Sequence, residues 1–194
     1  MLIQVILSTT REDRFSALVG EWVVASMGAY EGVEVEVVDL RDHPLPFFDG
    51  VPPAKFPRQY PTPEVARVGE RLERADGYVM LVAEYNHGYP AVLKNVIDWT
   101  FVEWNHKPVS FVGWGNVGGA RAVEQLRLVC VELEMAPLRH AVSILPDVLV
   151  RSRSAADPTS VLAELDPKLD LLVADLTWWA TALTAARQRD GERG

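Results

Sequence analysis

Three short polar segments carry nearly every group in this chain that could do chemistry. The first reads Ser8-Thr9-Thr10-Arg11-Glu12-Asp13-Arg14-Phe15-Ser16. It lies between an apolar run and a helical pattern, so the free N–H groups and dipole of a helix N-terminus favour an anion there. Hydroxyls on Thr9, Thr10 and Ser16 add donors, and Arg11 and Arg14 add permanent planar cations. A terminal phosphate suits such a set. The plainer reading is that Ser16 or Asp13 caps the helix and the arginines are solvated. The segment has neither the Gly-x-Gly-x-x-Gly spacing of a dinucleotide fold nor the Gly-Lys-Ser/Thr of a P-loop. A mononucleotide remains.

The second segment, Glu84-Tyr85-Asn86-His87-Gly88-Tyr89-Pro90, offers backbone amides from Glu84 to His87 and the flat face of Tyr85. His87 reads either as a polar wall or as a proton donor. The third, Gly113-Trp114-Gly115-Asn116-Val117-Gly118-Gly119, lets backbone approach a flat ligand closely at Gly115, Gly118 and Gly119. Taken alone it is an ordinary turn. Lys94 and Asp98 are an i, i+4 pair with a structural role. Cys130 falls on a buried helical stripe, where a thiol behaves as a small apolar side chain. No His, Cys, Asp and Glu set has metal-ligand spacing, and no Gly-x-Ser-x-Gly elbow marks a serine hydrolase.

The elements around these segments alternate. Residues 2–7 and 78–83 are nearly continuous apolar runs, as expected of strands buried on both faces. Residues 33–40 alternate, with Val33, Val35 and Val37 opposite Glu34 and Glu36, which predicts a half-buried edge strand. Residues 107–113 and 138–145 give a fourth and a weaker fifth strand. Helical spacing follows each: Phe15, Leu18, Val19 and Trp22; Val65, Val68 and Leu72, capped by Thr62; Pro90 to about Phe101; and Val123, Leu126 and Cys130. After a polar connection at 151–158, a long helix starts at Pro167. Five strand-helix repeats predict a parallel sheet covered on both faces, with order 2-1-3-4-5. The switch point then lies between strands one and three, whose exits are the two most polar.

A chain of 194 residues accommodates one such domain, here 1–186, with a charged tail at 187–194 expected to fray. The formal charge of −8 argues against nucleic acid, and one cysteine excludes an internal disulfide. No apolar stretch reaches the roughly 20 residues of a membrane span, so a cytoplasmic location is the default. The proline-rich segment 41–63, with Phe47, Phe48 and Phe56, is long for a structureless loop and suggests a contact or a pocket rim.

The Glu84-Tyr85-Asn86 turn, the Thr9-x-Arg11 segment with Ser16, and Gly118-Gly119 with Arg121 together resemble the NADPH-dependent FMN reductase family, from about Ile3 to Leu145. The chain has Ser8 and Thr9 where the family usually has Gly and Ser, and Ala83 where it usually has Pro. The resemblance implies a flavodoxin-like three-layer α/β/α sandwich and non-covalent FMN. Thr9, Thr10, Arg11, Arg14 and Ser16 would serve the phosphate. Glu84, Tyr85, Asn86, His87, Gly115, Gly118 and Gly119 would serve the ring. It implies an oxidoreductase passing hydride from NADPH or NADH through FMN to a quinone, azo compound, free flavin or metal oxyanion, and a homodimer or homotetramer. No side chain need act as catalytic acid or base. A non-catalytic flavin- or nucleotide-binding module working through protein partners stays open as the alternative. A phosphoacceptor receiver of the same topology lacks the aspartates it needs at the strand ends.

Overall fold

The computed structural model describes residues 1–191. Strands β1 (Leu2–Leu7), β2 (Glu34–Asp39), β3 (Gly77–Ala83) and β4 (Pro108–Trp114) form a parallel sheet in the order β2-β1-β3-β4. Two short pieces, β5 (Ala136–Pro137) and β6 (Val142–Ile144), both pair with β4. The architecture is the expected flavodoxin-like α/β/α sandwich of order 2-1-3-4-5. Its register places Leu7 beside Leu81 and Ala83 beside Trp114, so β1, β3 and β4 end together at one rim.

Alternation along the central strands divides the interior in two. Ile3, Val5, Leu7, Val79 and Leu81 face α1 (Phe15–Met27) and α7 (Asp166–Gly191). Ile6, Met80, Val82 and Phe111 face α2 (Pro63–Glu73), α3 (Ala91–Trp99) and α4 (Ala120–Glu132). Helix α2 starts as its sequence dictates: Pro63 opens it and Thr62 Oγ1 accepts from the Val65 amide. Trp22 Nε1 donates to Asp166 at 2.8 Å, tying α1 to the first turn of α7. Segment 41–63 is irregular apart from turns. It straps onto α3, where Asn95 accepts from the Phe48 amide at 2.9 Å and Trp99 Nε1 donates to the Pro46 carbonyl at 2.9 Å.

The expected fifth strand at 138–145 is instead broken. Arg127 takes the Leu138 carbonyl and Ser110 takes the His140 carbonyl, and Pro137 has no N–H to offer. The Leu138 amide still donates to the Val109 carbonyl, but the carbonyls of Leu138, Arg139 and His140 take side-chain donors in place of a ladder. The polar connection beyond it holds two further helices, α5 (Pro146–Ser154) and α6 (Pro158–Leu162), before a 3-10 turn leads into α7. Of the tail expected to fray, the part up to Gly191 continues α7, and Arg187 is anchored on Asp76 and the His106 carbonyl. Residues 192–194 lie outside the described residues. No helix among the described residues is long and apolar enough to cross a membrane.

Candidate functional site

The three polar segments emerge at the carboxyl ends of β1, β3 and β4, adjacent strands in the sheet. In the first, Ser8 and Thr9 are buried. The Ser8 hydroxyl donates to the Leu81 carbonyl and stitches β1 to β3. Ser8 has no positive φ, so serine costs no backbone strain where the family usually has glycine. Thr9 Oγ1 and Ser16 Oγ share a hydrogen bond of 2.5 Å. Helix α1 has no side-chain N-cap and no acidic residue in its first turn, which leaves its leading N–H groups free for an anion.

The two arginines part company. Arg14 holds both carboxylate oxygens of Asp39, at the end of β2, and donates to the Thr9 carbonyl at 2.7 Å. Burial works against the Asp39 carboxylate, but the hydrogen bonds and charge of Arg14 keep it below the usual carboxylate range. Arg14 therefore shapes the loop. Arg11 is exposed, has no carboxylate partner among the described residues, and lies 5.8 Å from the centre of the Tyr85 ring.

In the second segment, Tyr85 and Gly88 exchange two backbone hydrogen bonds of 2.9 Å. Asn86 and His87 between them have φ of 50° and 68°. Positive φ at both central residues is the two-residue hairpin turn of type I′. Asparagine suits it, while histidine adopts that conformation at some cost. The Glu84 amide donates to the Trp114 carbonyl at 2.9 Å, locking this segment to the third. The Glu84 side chain is only 4% exposed and pairs with the Arg121 guanidinium. It also accepts from the Arg121 amide at 3.3 Å. A buried carboxylate left alone would be costly, so this pair fixes the distance between the turn and α4. Arg121 Nη1 reaches His87 Nε2 at 2.6 Å, and Gln125 donates to the His87 carbonyl at 3.1 Å.

Gly115, Gly118 and Gly119 all have positive φ, with Gly119 at the N-cap of α4. A Cβ on Gly119 would stand 2.6 Å from the Trp114 amide nitrogen, and one on Gly115 would stand 2.8 Å from the Glu84 Cβ. The loop must therefore be glycine-built to close over Trp114 and lie against Glu84. Asn116 and Val117 form its exposed tip.

Hydroxyls, free helix amides and Arg11 on one side, with Tyr85, Asn86 and a glycine-rich backbone on the other, fit a phosphate joined to a flat polar ring. The structure also adds residues that the sequence reading left out of the site. Arg121 was visible only as the arginine that follows Gly118-Gly119 after Ala120. Asp39, a carboxylate at a strand end, has its partner 25 residues away, a pairing no local pattern reveals.

Comparison with known proteins agrees. The profile of the family "NADPH-dependent FMN reductase" matches residues 1–148. This chain belongs to that family. It is 34% identical over 170 residues to an NAD(P)H-dependent FMN reductase of Schizosaccharomyces pombe, covering 84% of each chain. It is 31% identical over 143 residues to a 2-hydroxy-1,4-benzoquinone reductase of a Burkholderia species, covering 69% of this chain and 72% of that one. Among solved structures, the NAD(P)H:(acceptor) oxidoreductase FerB of Paracoccus denitrificans superposes with a TM-score of 0.68 at 21% identity. That superposition covers 91% of this chain and 97% of FerB, and it supports the fold. The protein is an NAD(P)H-dependent oxidoreductase of the FMN and quinone reductase type.

Proposed function

We propose that this reductase holds FMN non-covalently across the three loops and passes reducing equivalents from NAD(P)H to a small acceptor, with quinones foremost. The observation that carries this reading is the convergence, at the switch point between β1 and β3, of an uncapped helix N-terminus beside Arg11 with a turn braced by the Glu84–Arg121 pair. Thr9, Thr10, Arg11 and Ser16 face the phosphate. Arg14 acts on that loop through its carbonyl at Thr9. The backbone of Glu84 to His87 and of Gly115 to Gly119 receives the ring. Bound flavin supplies the hydride chemistry, while the protein binds, orients and shields it. Burial pushes the Cys130 thiol up to about 12, which leaves it unreactive.

The test is a visible spectrum of the purified protein, followed by anaerobic titration with NADPH and with NADH, then turnover with a benzoquinone. A flavin spectrum bleached by either nucleotide and restored by quinone is expected. A protein that neither carries nor takes up FMN would refute the reading. If nucleotide and acceptor take turns in one site above the flavin, initial-rate lines at several acceptor concentrations should be parallel, and intersecting lines would mean that both bind together.

A separate surface supports assembly into a homodimer or larger species. A groove of about 480 Å³ runs between the strap, the end of α3 and the end of α4, with Phe48, Pro52, Phe101 and Leu128 on its walls. Phe47 is 84% exposed, and Leu128, Val131 and Val51 are also open to solvent. A second copy of the chain covering this groove accounts for so much apolar surface beside α3. Sedimentation should give a dimer or larger species at micromolar concentration, and Leu128→Glu should shift it toward monomer.

A further inference from the structure

His87 belongs to the ring-side turn, and its surroundings assign it a narrower task. Arginine has donors only, so any atom it hydrogen-bonds must offer a lone pair. Arg121 Nη1 lies 2.6 Å from His87 Nε2. That nitrogen therefore carries no proton, and the proton of the neutral ring sits on Nδ1. Arg121 cannot easily turn aside, because Glu84 holds it through the guanidinium and the backbone amide. The backbone of His87 is equally fixed, by the Tyr85–Gly88 bonds and by Gln125 at its carbonyl. The side chain is exposed, and Nδ1 has no partner among the described residues. The turn thus presents an N–H donor of set direction at its solvent-facing side.

We infer that His87 is the residue that orients the electron acceptor, donating a hydrogen bond from Nδ1–H to a carbonyl or phenolate oxygen of a quinone-class substrate. No proton is transferred: surrendering it would leave an imidazolate anion. This rests on the reading of the site as an FMN-dependent quinone reductase, and it adds the group that meets the acceptor.

Two measurements on the FMN-loaded protein test it. Long-range ¹H–¹⁵N spectra, with His87→Gln used to assign the signals among the four histidines, should show His87 in a single Nδ1–H tautomer. An Nε2–H form, or rapid averaging of the two, would overturn the inference. In turnover, His87→Phe should raise the half-saturating concentration of a hydroxybenzoquinone about 3- to 10-fold, the size of one neutral hydrogen bond. Its kcat should stay within about twofold, and His87→Gln, which keeps a donor, should recover most of the loss. Ferricyanide, which has no carbonyl to orient, should lose less than the quinone does in His87→Phe, and a loss as large as the quinone's would overturn the inference. A fall in kcat with a solvent isotope effect would make His87 a proton donor instead, and a parallel loss of FMN affinity by flavin fluorescence would place its side chain on the flavin. Either result rejects the assignment. The tautomer is read from the protein itself and FMN uptake from the flavin, so failure of this inference and failure of the FMN reading appear in different measurements.

Discussion

At the amino-terminal rim of the sheet, Lys107 donates to the carbonyls of Leu72, Glu73 and Glu103 and contacts the Tyr78 hydroxyl, while the Glu103 carboxylate receives the Tyr60 hydroxyl and the Phe101 amide. At the carboxyl rim of the same strands, Arg11 is exposed and without a carboxylate partner among the described residues, helix α1 is uncapped, and Asn86, His87, Gly115, Gly118 and Gly119 hold positive φ. One rim spends its polar groups on itself. The other fixes its framework through Ser8, Arg14 and Glu84 and leaves the remaining donors facing solvent. The contrast separates residues that hold a fold from residues that hold a ligand, although both kinds are charged and both end strands or begin helices.

The largest effect expected from breaking this contrast lies at the closed rim. Lys107→Met takes a donor from the carbonyls of Leu72, Glu73 and Glu103 and removes the positive charge of Lys107 from beside the buried Glu103, so it should cost about 3–5 kcal/mol in denaturant unfolding. FMN affinity of the folded fraction should stay within about twofold. Burial pushes Lys107 down to about 8 from its ordinary 10.5. The folded state therefore sheds this proton before the unfolded state does, and wild-type stability should rise between pH 8 and about 10 from this group. Above pH 10 stability should fall, because burial and hydrogen bonds to carboxylates push Tyr30 up to about 12 and raise Tyr60 as well. The Met variant should lack the rise and keep the fall.

At the open rim, Gly119→Ala drives a Cβ into the Trp114 amide at a left-handed position. A loss of about 2–3 kcal/mol is expected, together with at least tenfold weaker FMN binding, since the loop must move to relieve it. Next comes Arg11→Ala. Bonds to a charged group contribute about 1.5–3 kcal/mol, so FMN should bind roughly tenfold to a hundredfold more weakly, with riboflavin and unfolding stability unchanged. Arg14→Ala should reverse that pattern, lowering stability through the unpaired Asp39 and affecting FMN less. If Arg14 proves the stronger phosphate determinant, the division of labour between the two arginines is wrong. The smallest effect belongs to Lys94→Ala. Its exposed pair with Asp98, at 2.6 Å, should be worth only about 0.2–0.5 kcal/mol.

Much of this was legible in the sequence because burial imposes a period. Residues 2–7 and 78–83 read as central strands since both their faces are covered, and 33–40 read as an edge since one face meets water. Thr62 and Pro63 announced α2. The broken fifth strand was not legible, because what interrupts it is the guanidinium of Arg127 from a different element. Helices α5 and α6 were hidden by Arg, Ser and Asp, which match loop composition as well as short, weakly amphipathic helix. At the site, residue types pointed to an anion and a ring. Which arginine is free was invisible, because it depends on Asp39 arriving from β2.

The α1-side core has a consequence for biosynthesis. Ile3, Val5 and Leu7 are covered in part by Leu169, Leu172 and Leu176 of α7, a helix of 26 residues and the last of the described elements. At roughly 5–20 residues per second, the ribosome delivers that cover many seconds after the first strand has emerged. Until then only α1 covers that face of the nascent sheet, and the rest of it stays bare. A chain stalled before Leu169 presents that face to chaperones, so the enzyme reaches its native state only after translation of α7 is complete.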